Sequence, residues 1–283
     1  MATKVEKDSV TGTETTGHEW DGIKELNTPL PRWWIITLWV CVAWSGVYII
    51  FYSAIPGWDG LWEYTARKDV TRQMEAVKAD RAKWLDRLAD ASIEEIGKDS
   101  DLLNFAMAGG GAAFADNCAP CHGSGGAGGP GYPNLLDDDW IWGGTLDNIQ
   151  VTVAHGVRWA QDDDTRITEM PRFGVDELLD KDQINDVADY VLSLFGGGAA
   201  AANGAEIFAE NCAACHGESG EGNAELGAPR LSDAIWLYGG DKATIVETIT
   251  NSRGGVMPAW GTRLDEVTVK QLAIYVHSLG GGQ

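Results

Sequence analysis

The sequence has 283 residues, 44% of them hydrophobic, which is enough for about two domains with cores of their own. Its formal net charge of −21 at pH 7 argues against nucleic acid as a partner and favours a basic protein partner, although such charge also serves solubility alone. Four of the five cysteines form two closely spaced pairs, so no disulfide framework is predicted.

The chain begins with a polar tail and a long apolar run. Residues 1–32 show no helical periodicity, and we expect a loose tail. Residues 33–54 contain no charged side chain and would span roughly 33 Å as a helix, against about 30 Å for the core of a bilayer. A cleaved signal peptide would be shorter, would start nearer the N-terminus and would end at a small-residue cleavage site. The run therefore predicts an uncleaved transmembrane anchor, with Cys41 inside it.

A charge-rich connector follows the anchor over residues 55–104. Apolar residues recur there at helical spacing between Val70 and Leu88. This pattern predicts one helix from about residue 65 to 90 and a second, short helix from residue 92. We expect Gly109-Gly110-Gly111 to close the connector.

An internal repeat occupies the rest of the chain and predicts two domains, 105–196 and 203–283. Each copy contains Gly-x-x-x-Phe, Cys-x-x-Cys-His, Pro-x-Leu, Trp, Gly-Gly, Met-Pro and a terminal helix with Tyr-Val. The first copy is about nine residues longer before its Met-Pro, which predicts a surface loop around Asp162-Asp163-Asp164. Residues 196–202, rich in glycine and alanine, predict a hinge between the domains.

Cys-x-x-Cys-His is the attachment motif of c-type haem, in which two thiols bond to the haem and the adjacent imidazole binds the iron. The two copies consist of Cys118, Cys121 and His122, and of Cys212, Cys215 and His216. A zinc site would need two further Cys or His ligands nearby, and a redox dithiol would need a βαβ context; the sequence offers neither. We therefore predict two covalently bound haem c groups, one per domain, in a chain that moves electrons.

Each iron needs a second axial ligand, which we expect to be Met170 for the first haem and Met257 for the second. These methionines occupy matching places before proline, whereas the other three precede the first haem motif. His155 lies between the first motif and Met170 and is an alternative ligand, and a methionine can also fill a gap in a core. Methionine–histidine ligation would raise the reduction potential relative to two imidazoles.

The order of these motifs resembles tandem class I cytochromes c. The segment before the membrane run narrows the resemblance to the dihaem subunit, subunit III (CcoP/FixP-like), of cbb3-type cytochrome c oxidases. The residues that carry it are Asp21-Gly22-Ile23-x-Glu25-x-Asn27-x-Pro29-Leu30-Pro31-x-Trp33-Trp34, Ile55-Pro56-Gly57-Trp58, Gly156-Val157-Arg158 and Met170-Pro171-Arg172-Phe173-Gly174. The resemblance covers residues from about 18 to 280. It implies an all-α chain with one N-terminal transmembrane helix, a connector helix and two tandem class I cytochrome c domains.

The resemblance also implies roles for residues beside each haem. In small c-type cytochromes, the carbonyl of the Pro-x-Leu proline holds the proximal imidazole, and Pro133 and Pro229 occupy that position. Trp140 and Trp236 are expected to contact the haem propionates or to pack in the core.

Subunits of this family accept electrons from periplasmic cytochrome c donors and pass them to a haem–copper catalytic subunit of a proton-pumping oxidase. The expected partners are that subunit, a monohaem cytochrome subunit, a basic cytochrome c donor and membrane lipid. The expected location is the bacterial inner membrane, with the N-terminus cytoplasmic and the haem domains periplasmic. No oxygen-reducing site is predicted in this chain, because its single span contains no histidine. The alternatives are a dihaem cytochrome of a quinol–cytochrome c oxidoreductase and a haem-based sensor.

Overall fold

The computed structural model describes residues 4–52, 55–196 and 202–281, and the chain separates into two compact units, Met1–Ala79 and Asp80–Gln283. Residues 53 and 54 of the predicted span and residues 197–201 of the predicted hinge lie outside the described residues. The fold is predominantly helical, which confirms the predicted all-α class. The elements in chain order are β1 (Thr15–Trp20), β2 (Ile23–Leu26), α1 (Arg32–Phe51), α2 (Ala66–Asp90), α3 (Ile93–Lys98), α4 (Ser100–Asn117), α5 (Ala119–His122), α6 (Leu146–His155), α7 (Lys181–Leu194), α8 (Ala202–Asn211), α9 (Ala213–His216), α10 (Lys242–Asn251) and α11 (Glu266–His277).

The tail, predicted to be loose, contains an antiparallel hairpin of β1 and β2. Asp21 and Gly22 form its turn with φ values of 49° and 84°. Asp-Gly is a favoured pair for the tight turns that join two strands, because both residues must adopt positive φ. The prediction was wrong because it gave no weight to this turn signal.

Helix α1 occupies most of the predicted span, and it is the described helix that is long and apolar enough to cross a membrane. None of its residues is buried, and Trp33, Trp39 and Trp44 expose 68%, 66% and 68% of their surface. Its C-terminal end carries packed aromatic rings: Tyr52 is stacked on Tyr48 at 4.5 Å and meets Trp62 edge-on at 5.0 Å between ring centroids. A helix with apolar side chains exposed all round and aromatic residues at its end fits a lipid environment.

The connector helices end later than predicted. Helix α4 begins inside the predicted connector and runs without interruption through Gly109, Gly110 and Gly111. These glycines therefore do not close the connector. A Cβ on Gly110 would lie 2.2 Å from the backbone oxygen of Gln271 in α11, so glycine is required there because two helices cross at backbone contact.

The two haem motifs lie in two apolar clusters, and each cluster contains residues from both copies of the repeat. The Cys118 cluster has as its buried core Phe114, Cys118, Ile149, Val153, Val269, Leu272, Ala273 and Val276. The cluster against which Cys212 packs, here the Cys212 cluster, has as its buried core Phe173, Leu179, Ile184, Val187, Ala188, Val191, Ile207, Phe208, Ile245 and Ile249. The packing thus differs from the predicted division at 105–196 and 203–283, because α11 packs with α4 and α6, and α7 packs with α8 and α10.

A third cluster, the connector cluster, attaches the connector helices to α11. Its buried residues are Leu88, Ile96, Leu102, Ala106 and Ile274. Beside it, the Lys270 ammonium donates to the carbonyls of Leu88 and Ala91, each at 2.9 Å. A cation at the C-terminal carbonyls of α2 satisfies acceptors that the helix leaves unpaired.

Candidate functional site

Each Cys-x-x-Cys-His motif forms one helical turn directly after a longer helix. The Cys118 amide donates to the Phe114 carbonyl, and the Cys212 amide to the Phe208 carbonyl, both at 2.8 Å. Residues three and four apart share one face of a helix. The turn therefore presents both thiols and the imidazole of each motif on one side, as attachment of a single porphyrin requires.

The imidazoles are fixed by backbone carbonyls. Nδ1 of His122 lies 3.1 Å from the Pro133 oxygen, and Nδ1 of His216 lies 2.9 Å from the Pro229 oxygen. Because a carbonyl only accepts, Nδ1 carries the proton in both rings, and Nε2 keeps its lone pair for a metal. The predicted role of the two prolines is confirmed.

Burial keeps these groups in their uncharged forms. It lowers the pKa of His122 and of His216 against a smaller opposing effect of the proline hydrogen bonds. Burial also raises the pKa of the Cys118 thiol and the Cys212 thiol to about 11 each, with their neighbouring cysteines adding to the shift. A neutral imidazole is the form that can bind iron.

The structure does not bring the methionines to the motifs with which the sequence paired them. Met170 packs against the Cys212 cluster, and Met257 packs against the Cys118 cluster. The expected pairing of Met170 with the first motif and Met257 with the second is therefore contradicted by the packing. The physical reason is that the chain crosses from one cluster to the other just before each Met-Pro.

His155, the alternative ligand, lies at the end of α6 with its Nδ1 3.2 Å from a carboxylate oxygen of Asp162. Asp162 belongs to the extra acidic loop of the first repeat. One potential metal-ligand atom from each of His155, Asp162 and Asp164 lies within 4.8 Å of the other two, and exposed acidic groups commonly cluster in this way without a metal ion. A loop partner thus accounts for one ring nitrogen of His155.

The two tryptophans differ in their hydrogen bonds. The Trp140 indole donates to the backbone oxygen of Gly281. Trp236 Nε1 is buried and has no hydrogen-bond partner among the described residues. A buried indole N–H that lacks an acceptor fits a site that a bound carboxylate completes.

Two arginines outside the predicted site, Arg166 and Arg253, occupy matching positions in the two repeats. Arg166 lies over the Trp142 ring at 5.3 Å and donates to the Asn148 carbonyl. Its Nε is buried without a partner among the described residues. Such a guanidinium is suited to a bound anion. Arg253 lies over the Tyr238 ring at 4.6 Å in the second repeat. The signal was present in the sequence, because each arginine precedes its Met-Pro by the same Arg-x-x-x spacing.

Several carboxylates from the two repeats meet near Trp140. Burial, and then repulsion by Asp233 and Asp137, raise the pKa of Asp139 to about 6. An acid whose pKa in the folded state exceeds its ordinary value of 3.8 binds more protons when folded. The stability contributed by the protonated carboxyl is lost as the pH rises through about 6.

We therefore expect Asp139→Asn to stabilise the protein at neutral pH by about 1 kcal/mol, a value reduced from the full shift because the side chain is partly exposed. This stabilisation by the Asp139→Asn substitution should decrease as the pH is lowered from neutral towards the ordinary pKa of an aspartate. The measurement is the thermal midpoint across that pH range. Asp138→Asn, which removes the same charge from an exposed neighbour, is the control, and an equal gain from both variants would contradict the prediction.

Comparison with known proteins matches three successive parts of the chain to family models. Residues 12–59 match the N-terminal domain of cytochrome oxidase-cbb3, FixP; residues 107–195 match cytochrome c; and residues 199–276 match cytochrome c oxidase, cbb3-type, subunit III. The cbb3-type cytochrome c oxidase subunit CcoP of Azospirillum sp. (strain B510) is 52% identical over 98% of each chain. Subunit FixP of Azorhizobium caulinodans is 54% identical over 98% of this chain and 96% of its own. Subunit CcoP of Cereibacter sphaeroides is 49% identical over the whole of both chains.

Proposed function

This chain belongs to the CcoP/FixP family of cbb3-type cytochrome c oxidase subunits and is an electron-transfer subunit of that oxidase, and we propose that it carries electrons on two covalently attached haems. A bound c-type haem supplies a one-electron Fe(III)/Fe(II) couple. The observation that carries the proposal is the pair of motif histidines, each with Nδ1 held by a proline carbonyl and Nε2 left for iron.

Within this proposal, the thiols of Cys118 and Cys121 hold one haem, and those of Cys212 and Cys215 hold the other. His122 and His216 are the proximal ligands. Met170 and Met257 supply the second axial positions, since both pack against the clusters that contain the motifs. Thioether ligation raises the potential of a haem relative to two imidazoles, which suits electron delivery to a terminal oxidase.

The unpaired buried donors support the same assignment. Trp236 Nε1 and Arg166 Nε are donors without partners among the described residues. Haem propionates are carboxylates and would accept from an indole and a guanidinium. We propose these side chains as propionate contacts.

The membrane and partner assignments extend the proposal. Helix α1 has 20 residues and spans about 30 Å, the thickness of a bilayer core. It anchors the chain in the bacterial inner membrane with the N-terminus in the cytoplasm and the haem sites in the periplasm. The subunit accepts electrons from a periplasmic donor and passes them to the haem–copper subunit, beside a monohaem cytochrome subunit, and reduces no oxygen itself. The net charge of −21 would steer a basic donor.

The experiment is to purify the membrane complex through a tag on this chain. Pyridine haemochrome spectra and the mass of the denatured chain should give two covalent haems, and the complex should consume oxygen with a reduced c-type donor. A mass equal to that of the bare polypeptide would overturn the haem assignment. Two haems in a complex that oxidises quinol instead would favour the quinol–cytochrome c oxidoreductase alternative. Carbon monoxide binding by the reduced full chain alone, in detergent, would favour a sensor with an open iron position.

A further inference from the structure

We propose that the first half of α2 binds the surface of an anionic phospholipid bilayer. Its contact is an apolar stripe of Val70, Met74 and Val77, here the Val70 stripe, which enters the boundary between headgroups and acyl chains. This inference rests on the proposed anchoring of the chain by α1 and is independent of the haems. It gives the chain a second membrane contact, in the plane of the bilayer, beside the helix that spans it.

The Val70 stripe is an apolar face of α2 that the protein leaves uncovered. Its three residues are spaced by four and three positions, so they share one side of the helix. They expose 54%, 67% and 57% of their surface. Further along the same face, Trp84 packs against the connector cluster and Leu88 is buried in it. The face is therefore apolar along much of α2, and only its second part is covered by protein among the described residues.

The segment that joins α1 to α2 folds back on the end of α1. The Leu61 amide donates to the Ile50 carbonyl at 2.9 Å, and the Trp62 amide donates to the Phe51 carbonyl at 3.1 Å. The rings of Phe51 and Trp62 are 4.9 Å apart between centroids. Helix α2 begins at Ala66, four residues after Trp62. Its first turns therefore start beside the end of the spanning helix, where the bilayer surface lies.

This joining segment also has the composition of a membrane interface. Its large apolar and aromatic side chains expose between 45% and 63% of their surface; they are Ile55, Trp58, Leu61, Trp62 and Tyr64. Tryptophan and tyrosine are enriched where a membrane meets water, because their rings are apolar on one side and polar at one edge. The joining segment and the Val70 stripe would thus meet the same layer of lipid.

The charges of the first half of α2 fit an anionic surface. Residues 66–79 carry four basic and two acidic side chains, although the whole chain has a net charge of −21. Lys68 and Arg72 are held in salt bridges with aspartates. Arg67 and Lys78 form no salt bridge within the described part of the chain, and they border the stripe at a spacing of three or four residues. Basic side chains beside an apolar face are typical of helices that lie on anionic membranes.

The size of the stripe favours lipid over another protein as its occupant. From Val70 to Val77 the helix rises about 10 Å. A stable protein interface buries roughly 800 Å² on each partner, which three side chains do not supply. An interfacial helix needs less area, because the spanning helix already holds it at the membrane.

The test places a fluorescent thiol label on single cysteines of the full chain in nanodiscs of phosphatidylglycerol and phosphatidylcholine. Met74→Cys reports on the stripe, and Glu75→Cys, on another face of α2, is the matched control, both with Cys41→Ser so that one free thiol remains. Nitroxides on the lipid should quench the label at residue 74 more strongly than at residue 75. Aqueous acrylamide should quench them in the reverse order. Val77→Cys replaces Met74→Cys if that variant does not accumulate.

The charge contribution has its own readout. Lys78→Gln should reduce nitroxide quenching at residue 74 in the anionic nanodiscs, and this loss should disappear in nanodiscs of phosphatidylcholine alone. Lys83→Gln removes the same charge from a different face of α2 and should leave the quenching unchanged. Equal losses from the two variants, or a loss that does not depend on the lipid, would overturn the role of anionic lipid.

The remaining outcomes separate this inference from the proposed function. A label at residue 74 that acrylamide reaches as readily as at residue 75 would overturn the inference. Shielding of residue 74 from both quenchers that arises only in the assembled oxidase would also overturn it, because a partner subunit would then cover the stripe. A label on the native Cys41 of α1 reports on the anchor itself. Quenching of that label by acrylamide instead of lipid nitroxide would overturn the proposed anchoring as well, whereas a lipid-quenched Cys41 confines any failure to α2.

Discussion

Gly110→Ala will destabilise the unit Asp80–Gln283 by about 3 kcal/mol, although alanine usually stabilises the middle of a helix by about 1 kcal/mol relative to glycine. The added methyl group would lie 2.2 Å from the backbone oxygen of Gln271. A backbone atom cannot move away as a flexible side chain can, so α4 and α11 must separate. The Cys118 cluster lies between these helices and would lose its close packing.

The measurement is the thermal midpoint together with the mass of covalent haem on the chain. Gly97→Ala is the matched control, since Gly97 is also helical and a Cβ there meets nothing within 4 Å. We expect the control to be neutral or stabilising. Equal midpoints for the two variants would show that α4 and α11 are not in backbone contact.

Ile274→Asp is expected to destabilise the same unit by about 4 kcal/mol, because it removes a buried apolar side chain and introduces a carboxylate without a partner. Ile274 is 5% exposed and packs with the connector cluster. Asp189→Ile, at the equivalent position of the first repeat, should cost about 1 kcal/mol or less, since it removes a partly exposed ion pair.

The two variants can be compared directly because positions 274 and 189 are equivalent in the two repeats. Urea unfolding followed through the haem absorbance gives both values. If each repeat paired with itself, Asp189 rather than Ile274 would face the connector cluster, and Asp189→Ile would then be stabilising. A stabilised Asp189→Ile variant would therefore count against the exchanged packing.

Local sequence was sufficient to predict the structure wherever the residues that contact one another lie close along the chain. The attachment turns follow from the spacing of two cysteines and a histidine, and the carbonyls that hold His122 and His216 lie only a short loop away. The span of α1 follows from an uncharged run whose length matches a bilayer. The hairpin in the tail could also have been predicted from the sequence, because Asp21-Gly22 favours a tight turn between two strands.

The order of segments along the chain led to wrong predictions where two similar segments of the repeat could pack against the same helix. Gly109, Gly110 and Gly111 indicated the end of a connector, yet they lie inside α4 because α11 crosses them closely. Met170 follows the first haem motif and Met257 follows the second, so proximity in sequence paired them in that order. Their packing is the reverse, and Arg166 and Arg253 were overlooked beside them.

Residue types at short, regular spacings were sufficient to predict the long apolar helix, the two attachment motifs with their histidines, and the family. Which methionine lies with which motif depends instead on how the helices pack together. The repeat offers two nearly equivalent sets of contacts, and the choice between them depends on long-range matches such as Ile274 with the connector cluster and Asp189 with Lys242. Such matches become visible when the helices are placed together, because burial and charge pairing are properties of the packed chain.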